Sequence, residues 1–291
     1  MKWQRDIGLT WRVWMTMLLL LLVYLIFIAV LSALGISIFA IGAITIVLVL
    51  VQYFFSDRLV LMTTGAKIVE PDEYPELHQM VEKLATEAGL PKPKVAIMPS
   101  PVPNAFATGR SPSHAVVAVT DSIMRTLNRD ELEAVIAHEL SHVKYRDVRT
   151  MTIASFVAMI AAMIMNNAIF LSWGDRREGN PWLIAWIVAI VVWIASTLLL
   201  SALSRYREFA ADRGSAMITR NPRALMSALQ KISTRMESVP PEKKRQVEGA
   251  NAFFIIPALS GATLLELFST HPPLEKRIAA LEQVEQELRG F

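Results

Sequence analysis

The sequence predicts a mostly α-helical membrane protein with a small β-sheet, built on four transmembrane helices and a polar domain at the membrane surface. Three observations carry this expectation. Of the 291 residues 53 % are hydrophobic and only 19 % charged, too apolar a balance for an ordinary soluble protein of this length. The charge-free stretches are long and come in pairs. The polar segments between and after them show helix and strand periodicity of their own. There is no cysteine, which excludes disulfide scaffolds, thiolate zinc sites, iron–sulfur clusters and Cys nucleophiles, so any metal must be held by His and carboxylates. A formal net charge of +3 gives no argument for nucleic acid as a partner.

Taken in order, residues 1–13 form a short N-terminal segment carrying Lys2, Arg5 and Arg12. No charge then occurs before Asp57. A single helix over 14–56 would be about 64 Å long at roughly 1.5 Å per residue, about twice the hydrocarbon thickness, so the run reads as two spans. The break is expected around Ser32 to Ser37, at Gly35. A cleaved signal peptide would be far shorter and would end on a small-residue cleavage pattern that is missing here. A second pair, over 150–204, consists of Thr150 to Gly174 and Gly179 to Ser204, separated only by Asp175, Arg176, Arg177 and Glu178. Each is long enough to cross, and apolar all round, as lipid requires. Lys2, Arg5 and Arg12 precede the first span and Lys144, Arg146, Arg149, Arg205, Arg207 and Arg213 flank the central pair. The positive-inside bias therefore puts both termini and the polar regions in the cytoplasm.

The first polar region, 57–149, reads as a mixed α and β module. A helix from Pro75 to Ala88 ends at Gly89 and Pro91. Three segments with strand character follow, Val95 to Met98, Asn104 to Thr108 and Ala115 to Val119. Asn128 with Glu131 three residues later has the form of a capping box, opening a helix whose apolar stripe is Leu132, Val135, Ile136, Leu140 and Val143. The second polar region, 205–291, holds a helix over 201–219, another over Leu225 to Met236, a charged linker from Glu237 to Glu248, and a last helix from Pro272 to Leu288.

The Asn128 helix carries the chemistry. His138-Glu139-Leu140-Ser141-His142 is an H-E-x-x-H pattern, in which imidazoles at i and i+4 share one helix face and can grip one Zn2+, with the intervening Glu beside the attacking water. In Arg205-Tyr206-Arg207-Glu208-Phe209-Ala210-Ala211-Asp212, Glu208 can supply a third ligand and Asp212, one turn on, can orient a ligating imidazole. His142 and Glu208 stand far apart in the chain, but the intervening hairpin leaves and returns on one membrane side. Two His and one Glu leave a coordination position open, as hydrolytic zinc needs.

Over nearly its full length the chain resembles the HtpX family of membrane zinc metalloproteases, relatives of the CAAX prenyl proteases. The resemblance rests on the paired N-terminal spans, Asn104-Ala-Phe-Ala-Thr-Gly109, Ala137-His-Glu-Leu-Ser-His142, Arg207-Glu-Phe-Ala-Ala-Asp212, Asn251-Ala-Phe-Phe and Ser269-Thr-His-Pro-Pro273. It implies a zincin-like, gluzincin-type metalloprotease domain facing the cytoplasm. It also implies His138, His142 and Glu208 as ligands of one zinc ion per chain and Glu139 as the catalytic residue. The implied task is proteolysis of damaged membrane proteins in quality control at the inner cell membrane.

Weaker signals surround this site. His271, before Pro272 and Pro273, is expected over the metal as a donor to the transition state or a displaceable ligand. Asn104, Ala105, Phe106 and Ala107 are expected on an edge strand that pairs with substrate backbone. His78 and His114, far from the motifs, are expected at the solvated surface. Two competitors remain: a membrane scaffold or holdase with structural zinc, disfavoured because structural sites are closed by four protein ligands, and a transporter, disfavoured because no span carries an internal charge.

Overall fold

The structure, a computed structural model, describes residues 7–35, 38–171, 181–240, 242 and 269–290. Lys2, Arg5, the connector Asp175 to Glu178, the Asn251-Ala-Phe-Phe motif and most of the 237–248 linker lie outside the described residues.

The first apolar pair folds as α1 (Ile7–Ala33) and α2 (Ile38–Thr64). Gly35 sits between them with φ 68°, the left-handed conformation that glycine adopts at least cost. α2 does not stop where its apolar run stops. Asp57 and Arg58 continue the helix to Thr64, with a bend of 71° between Gly42–Phe55 and Asp57–Thr64. The second pair is α6 (Asp147–Leu171), bent by 46° between Asp147–Phe156 and Ala158–Asn166, and α7 (Pro181–Thr219). α1 and α7 are each long and apolar enough to cross a membrane, and α2 and α6 join them if each bent pair counts as one span. Leu20, Phe27 and Leu31 of α1 pack against Ala154, Ala161 and Ile164 of α6 and Ala185, Ala189 and Leu203 of α7. The alanines let the helix backbones approach closely, which is how helices hold together where lipid gives no hydrophobic drive. Leu18, Leu21, Leu22, Leu25 and Ile26 of α1 remain about half exposed on the outer face.

The polar domain begins with β1 (Lys67–Ile68) and α3 (Pro75–Ala88), which is closed by Gly89 in the left-handed region. Then follow β2 (Lys94–Met98), β3 (Ala105–Thr108), β4 (Val116–Thr120), α4 (Asp121–Thr126) and α5 (Arg129–Tyr145). The sheet order is β1-β2-β4-β3, with β2 and β4 parallel and β3 antiparallel to β4, so β3 is an edge strand. After α7 come α8 (Pro222–Glu237), capped by Asn221, and α9 (Leu274–Arg289). One core joins both parts of the sequence: Val81 and Leu84 of α3, Val95, Val117, Ile136 and Leu140 meet Ala216 of α7, Leu225 and Leu229 of α8 and Leu281 of α9.

Two expectations need correction. No separate helix begins at 201: α7 runs unbroken for 39 residues from the apolar segment through Glu208 and Asp212, because no Gly or Pro interrupts the charge boundary at Ser204-Arg205. His78 is buried, 7 % exposed, with Nε2 3.1 Å from the Val69 carbonyl oxygen, because it lies beside Leu77 on the face that α3 turns to the core. His114 is exposed, as expected.

Candidate metal centre

The site is built on α5. Its first turn is fixed by the reciprocal capping box: the Glu131 N–H donates to Asn128 Oδ1 at 2.9 Å and the Asn128 N–H to Glu131 Oε2 at 2.9 Å. Glu131 also receives Lys231 Nζ at 2.7 Å and Ser227 Oγ at 2.7 Å from α8. Burial alone would raise this carboxyl, but Lys231, Ser227 and the Asn128 amide hold it below its ordinary value. With Leu132, Val135, Ile136 and Leu140 committed to the core, helical spacing turns His138, Glu139 and His142 toward the cleft.

The far end of α5 is shaped by Arg146, a non-glycine residue in the left-handed region (φ 56°, ψ 45°). That sharp turn starts α6 at once and folds Asp147 back, with Oδ2 2.6 Å from His142 Nδ1. Arg207 holds the same carboxylate at 2.5 Å and donates to the Asp147 carbonyl at 2.9 Å. On α7, Ser215 Oγ donates to the Ala134 carbonyl at 2.6 Å and clamps the two helices. Glu208 then stands 3.4 Å from His142 Nε2 and 3.7 Å from His138 Nε2, and the two imidazole Nε2 atoms are 3.2 Å apart. One donor atom from each of the three residues lies within 4.8 Å of the others.

Each imidazole has its Nδ1 against a carboxylate: Asp147 for His142, and Asp212 at 2.9 Å for His138. That arrangement places the proton on Nδ1 and leaves the Nε2 lone pair toward the centre. Asp212 is itself gripped by Arg277 of α9, from Nε at 2.8 Å and Nη2 at 2.6 Å, and Arg277 is 1 % exposed. The donor set fits a metal ion. Donors bound tetrahedrally at about 2.0–2.1 Å stand about 3.3 Å from each other, close to the observed separations, and Glu208 Oε2 is buried without a hydrogen bond. His271 completes the ring, Nδ1 being 3.2 Å from Glu208 Oε2, and neither of its buried nitrogens makes a hydrogen bond.

The three carboxylates are driven apart in acidity. Burial opposes ionisation of Glu208, but His271, His138 and His142 hold it well below the carboxylate range. Asp212 is likewise kept low against its burial by Arg277. Glu139 goes the other way, raised chiefly by burial. Its Oε2 accepts the Ala107 N–H of β3 at 2.9 Å, so the edge strand and the Glu139 carboxylate form one wall of a cleft of about 500 Å3. Leu59, Val60 and Thr63 of α2 and Met151 and Thr152 of α6 also line it, together with His138, His142, Glu208 and His271.

Of the four residues expected to meet substrate, Phe106 and Ala107 line this cleft. Asn104 is buried between Thr120 contacts, its N–H on Thr120 Oγ1 at 2.9 Å, and Ala105 belongs to the core; neither lines the cleft. Thr108, the last residue of the expected Asn104 to Thr108 strand, also lines it; sequence reasoning missed Asp147, Arg207 and Arg277. The one sequence signal for Asp147 is a carboxylate five residues after the second histidine, three residues before the charge-free run opens at Thr150.

Residues 71–285, a span containing every residue of this centre, match the profile of Peptidase family M48. The chain belongs to that family. It is 53 % identical over 290 residues to a protease HtpX homolog of Moorella thermoacetica, covering 97 % of this chain and 96 % of that one. It is 54 % identical over 294 residues to protease HtpX homolog 2 of Methanosarcina acetivorans, covering 99 % of each. The crystal structure of S. mikatae Ste24p matches in fold, with a TM-score of 0.55 at 18 % identity over 93 % of this chain and 66 % of that one. M48 membership together with the apolar helices makes this a membrane-anchored metalloprotease with protein or peptide substrates. A non-proteolytic scaffold is not favoured.

Proposed function

We propose that this M48 protease is a zinc endopeptidase that cuts misfolded or membrane proteins at the cytoplasmic face of the inner cell membrane. It is held there by four spans, with both termini and the catalytic domain on the cytoplasmic side. His138, His142 and Glu208 hold one Zn2+, and the observation that carries this reading is the convergence of their three donor atoms within 4.8 Å beside the Glu139 carboxylate. The HtpX names of the relatives support the quality-control role, and the Lys and Arg residues flanking the spans support the orientation.

Bound zinc supplies Lewis acidity, polarising the scissile carbonyl and making water acidic enough to attack near neutral pH. Glu139 accepts the proton of that water on its carboxylate and delivers it to the leaving amine, a task for which its upward-shifted pKa suits it. Asp212, Arg277 and Asp147 orient the imidazoles. His271, whose Nδ1 faces Glu208 and whose Nε2 makes no hydrogen bond, donates to the oxyanion that develops on the carbonyl. An extended substrate adds to the outer edge of β3 at Phe106 and Ala107, where the Ala107 N–H meets Glu139, so the scissile bond lies against Glu139. Cleavage is expected outside the bilayer core, since Glu208 lies beyond the apolar part of α7.

The test is detergent-purified protein on an unfolded polypeptide, with and without chelator, beside Glu139→Gln. Glu139→Gln is expected to keep one zinc per chain and lose turnover by about 10²–10⁴-fold. Full activity in that variant would overturn the assignment.

A further inference from the structure

A second cavity, of about 880 Å3, lies on the side of α2 opposite the catalytic cleft. One wall is apolar: Leu50, Val51, Phe54 and Phe55, the last two turns of the charge-free run, each about half exposed. The other wall is basic, with Arg58 from α2, Lys94 from β2, and Arg110 and His114 from the loop joining β3 to β4, against one acid, Asp57, among the lining residues. Among the described residues neither Arg58 nor Lys94 has an ion-pair partner.

The basic wall is built. Gly109 has φ 124°, and a Cβ there would stand 2.3 Å from the His114 carbonyl oxygen, so the loop closes tightly only with glycine. Arg110 Nη2 is 2.8 Å from His114 Nε2, and its guanidinium lies 5.7 Å from the Phe54 ring centroid. Tyr53 Oη donates to the Arg110 carbonyl at 3.0 Å. The loop is thereby stapled to the turn at which α2 passes from apolar to charged sequence.

We propose that this groove binds the headgroup of an anionic phospholipid, the phosphate meeting Arg58, Lys94 and Arg110 and the upper acyl chains lying along Leu50, Val51, Phe54 and Phe55. An apolar wall continuous with a membrane span, facing a cluster of cations at the span's end, matches an anionic lipid in both charge and polarity. A soluble anion would leave the apolar wall unused, and an apolar peptide would leave the cations unpaired. The volume is that of a ligand site. A bound lipid would be one helix away from the zinc cleft, because Leu59, Val60 and Thr63 of the same helix line that cleft. The proposal rests on the reading of α2 as a span.

The test uses the full, zinc-loaded chain in detergent. Native mass spectrometry would titrate it with phosphatidylglycerol, with phosphatidylcholine of the same acyl chains, and with inorganic phosphate as competitor. Arg58→Gln/Lys94→Gln changes exposed residues only, and it is expected to weaken phosphatidylglycerol binding by about 25-fold, about fivefold for each cation, while phosphatidylcholine binding and zinc content stay unchanged. The control Lys2→Gln/Arg5→Gln keeps the phosphatidylglycerol preference. An unchanged preference in Arg58→Gln/Lys94→Gln, or displacement of the lipid by millimolar phosphate, overturns the proposal. The span reading is tested separately in the cysteine-free background: Ser37→Cys and Lys92→Cys should be labelled by an impermeant maleimide from opposite faces of sealed vesicles. Labelling from one face removes the span, whatever the lipid result.

Discussion

At the residue scale the centre sets a carboxylate against Nδ1 of each imidazole. His138 and His142 each turn Nδ1 to an acid, and each acid is held by an arginine: the buried Arg277 for Asp212, Arg207 for Asp147. Removing one of these charges leaves the H-E-x-x-H residues intact and loosens one ring. Asp147→Asn is therefore expected to weaken zinc binding by about 10–100-fold, read by competition with a chelator, with the fold retained by circular dichroism. A variant that binds zinc like the parent would show that His142 needs no partner. The i, i+4 spacing made His138, His142, Glu208 and Asp212 legible, because a helix converts spacing into a shared face. Asp147 and Arg277 were not legible: a left-handed turn at Arg146 brings one of them in, and the packing of a distant helix brings in the other.

At the scale of elements, α5 and α7 bring the donor atoms together and β3 walls the cleft. The first turn of α5 is fixed to α8 through Glu131, whose carboxyl is more acidic in the folded protein than in the unfolded chain. A group lowered on folding contributes stability above its unfolded value, about 4.3 for Glu, and that contribution is lost as pH falls through the folded value. Glu131→Gln is expected to lower the melting temperature at pH 7, with the gap to the parent protein closing in acid. An equal gap at pH 3 and pH 7 would contradict this. β3 offers the cleaner test of substrate pairing. Ala107→Pro removes the N–H given to Glu139 and blocks the strand edge, so KM for an extended peptide should rise strongly while zinc content stays at one per chain. The capping box, Gly89 and strand periodicity made these elements readable within a residue or two. The continuity of α7 was not readable, because a helix crosses a polarity boundary without any change in backbone pattern.

At the scale of the molecule, the centre is assembled from two sequence segments separated by the central apolar pair, and the assembly is held by shared cores rather than by the connector. Leu225, Leu229 and Leu281 pack with Val81, Ile136 and Leu140, and α1 packs against α6 and α7 through Leu20 and Phe27. A specific protease site inserted between Asp175 and Glu178 and cut after purification should leave two fragments that co-purify in detergent and keep zinc and peptidase activity. Separation of the fragments on cutting would mean that the connector, and not the cores, joins the halves. The amino-acid sequence by itself determined the membrane-protein class, the elements of the polar domain, and His138, Glu139, His142 and Glu208 as the residues to bring together. It could do so because hydrophobicity and helical period act locally and leave their mark in consecutive residues. Only the tertiary structure decided which arginines pair with which carboxylates, which end of the edge strand opens into the cleft, and that α2 divides that cleft from a basic groove. Those outcomes depend on helices and strands far apart in the chain meeting at a few ångströms, a distance that no spacing along one segment encodes.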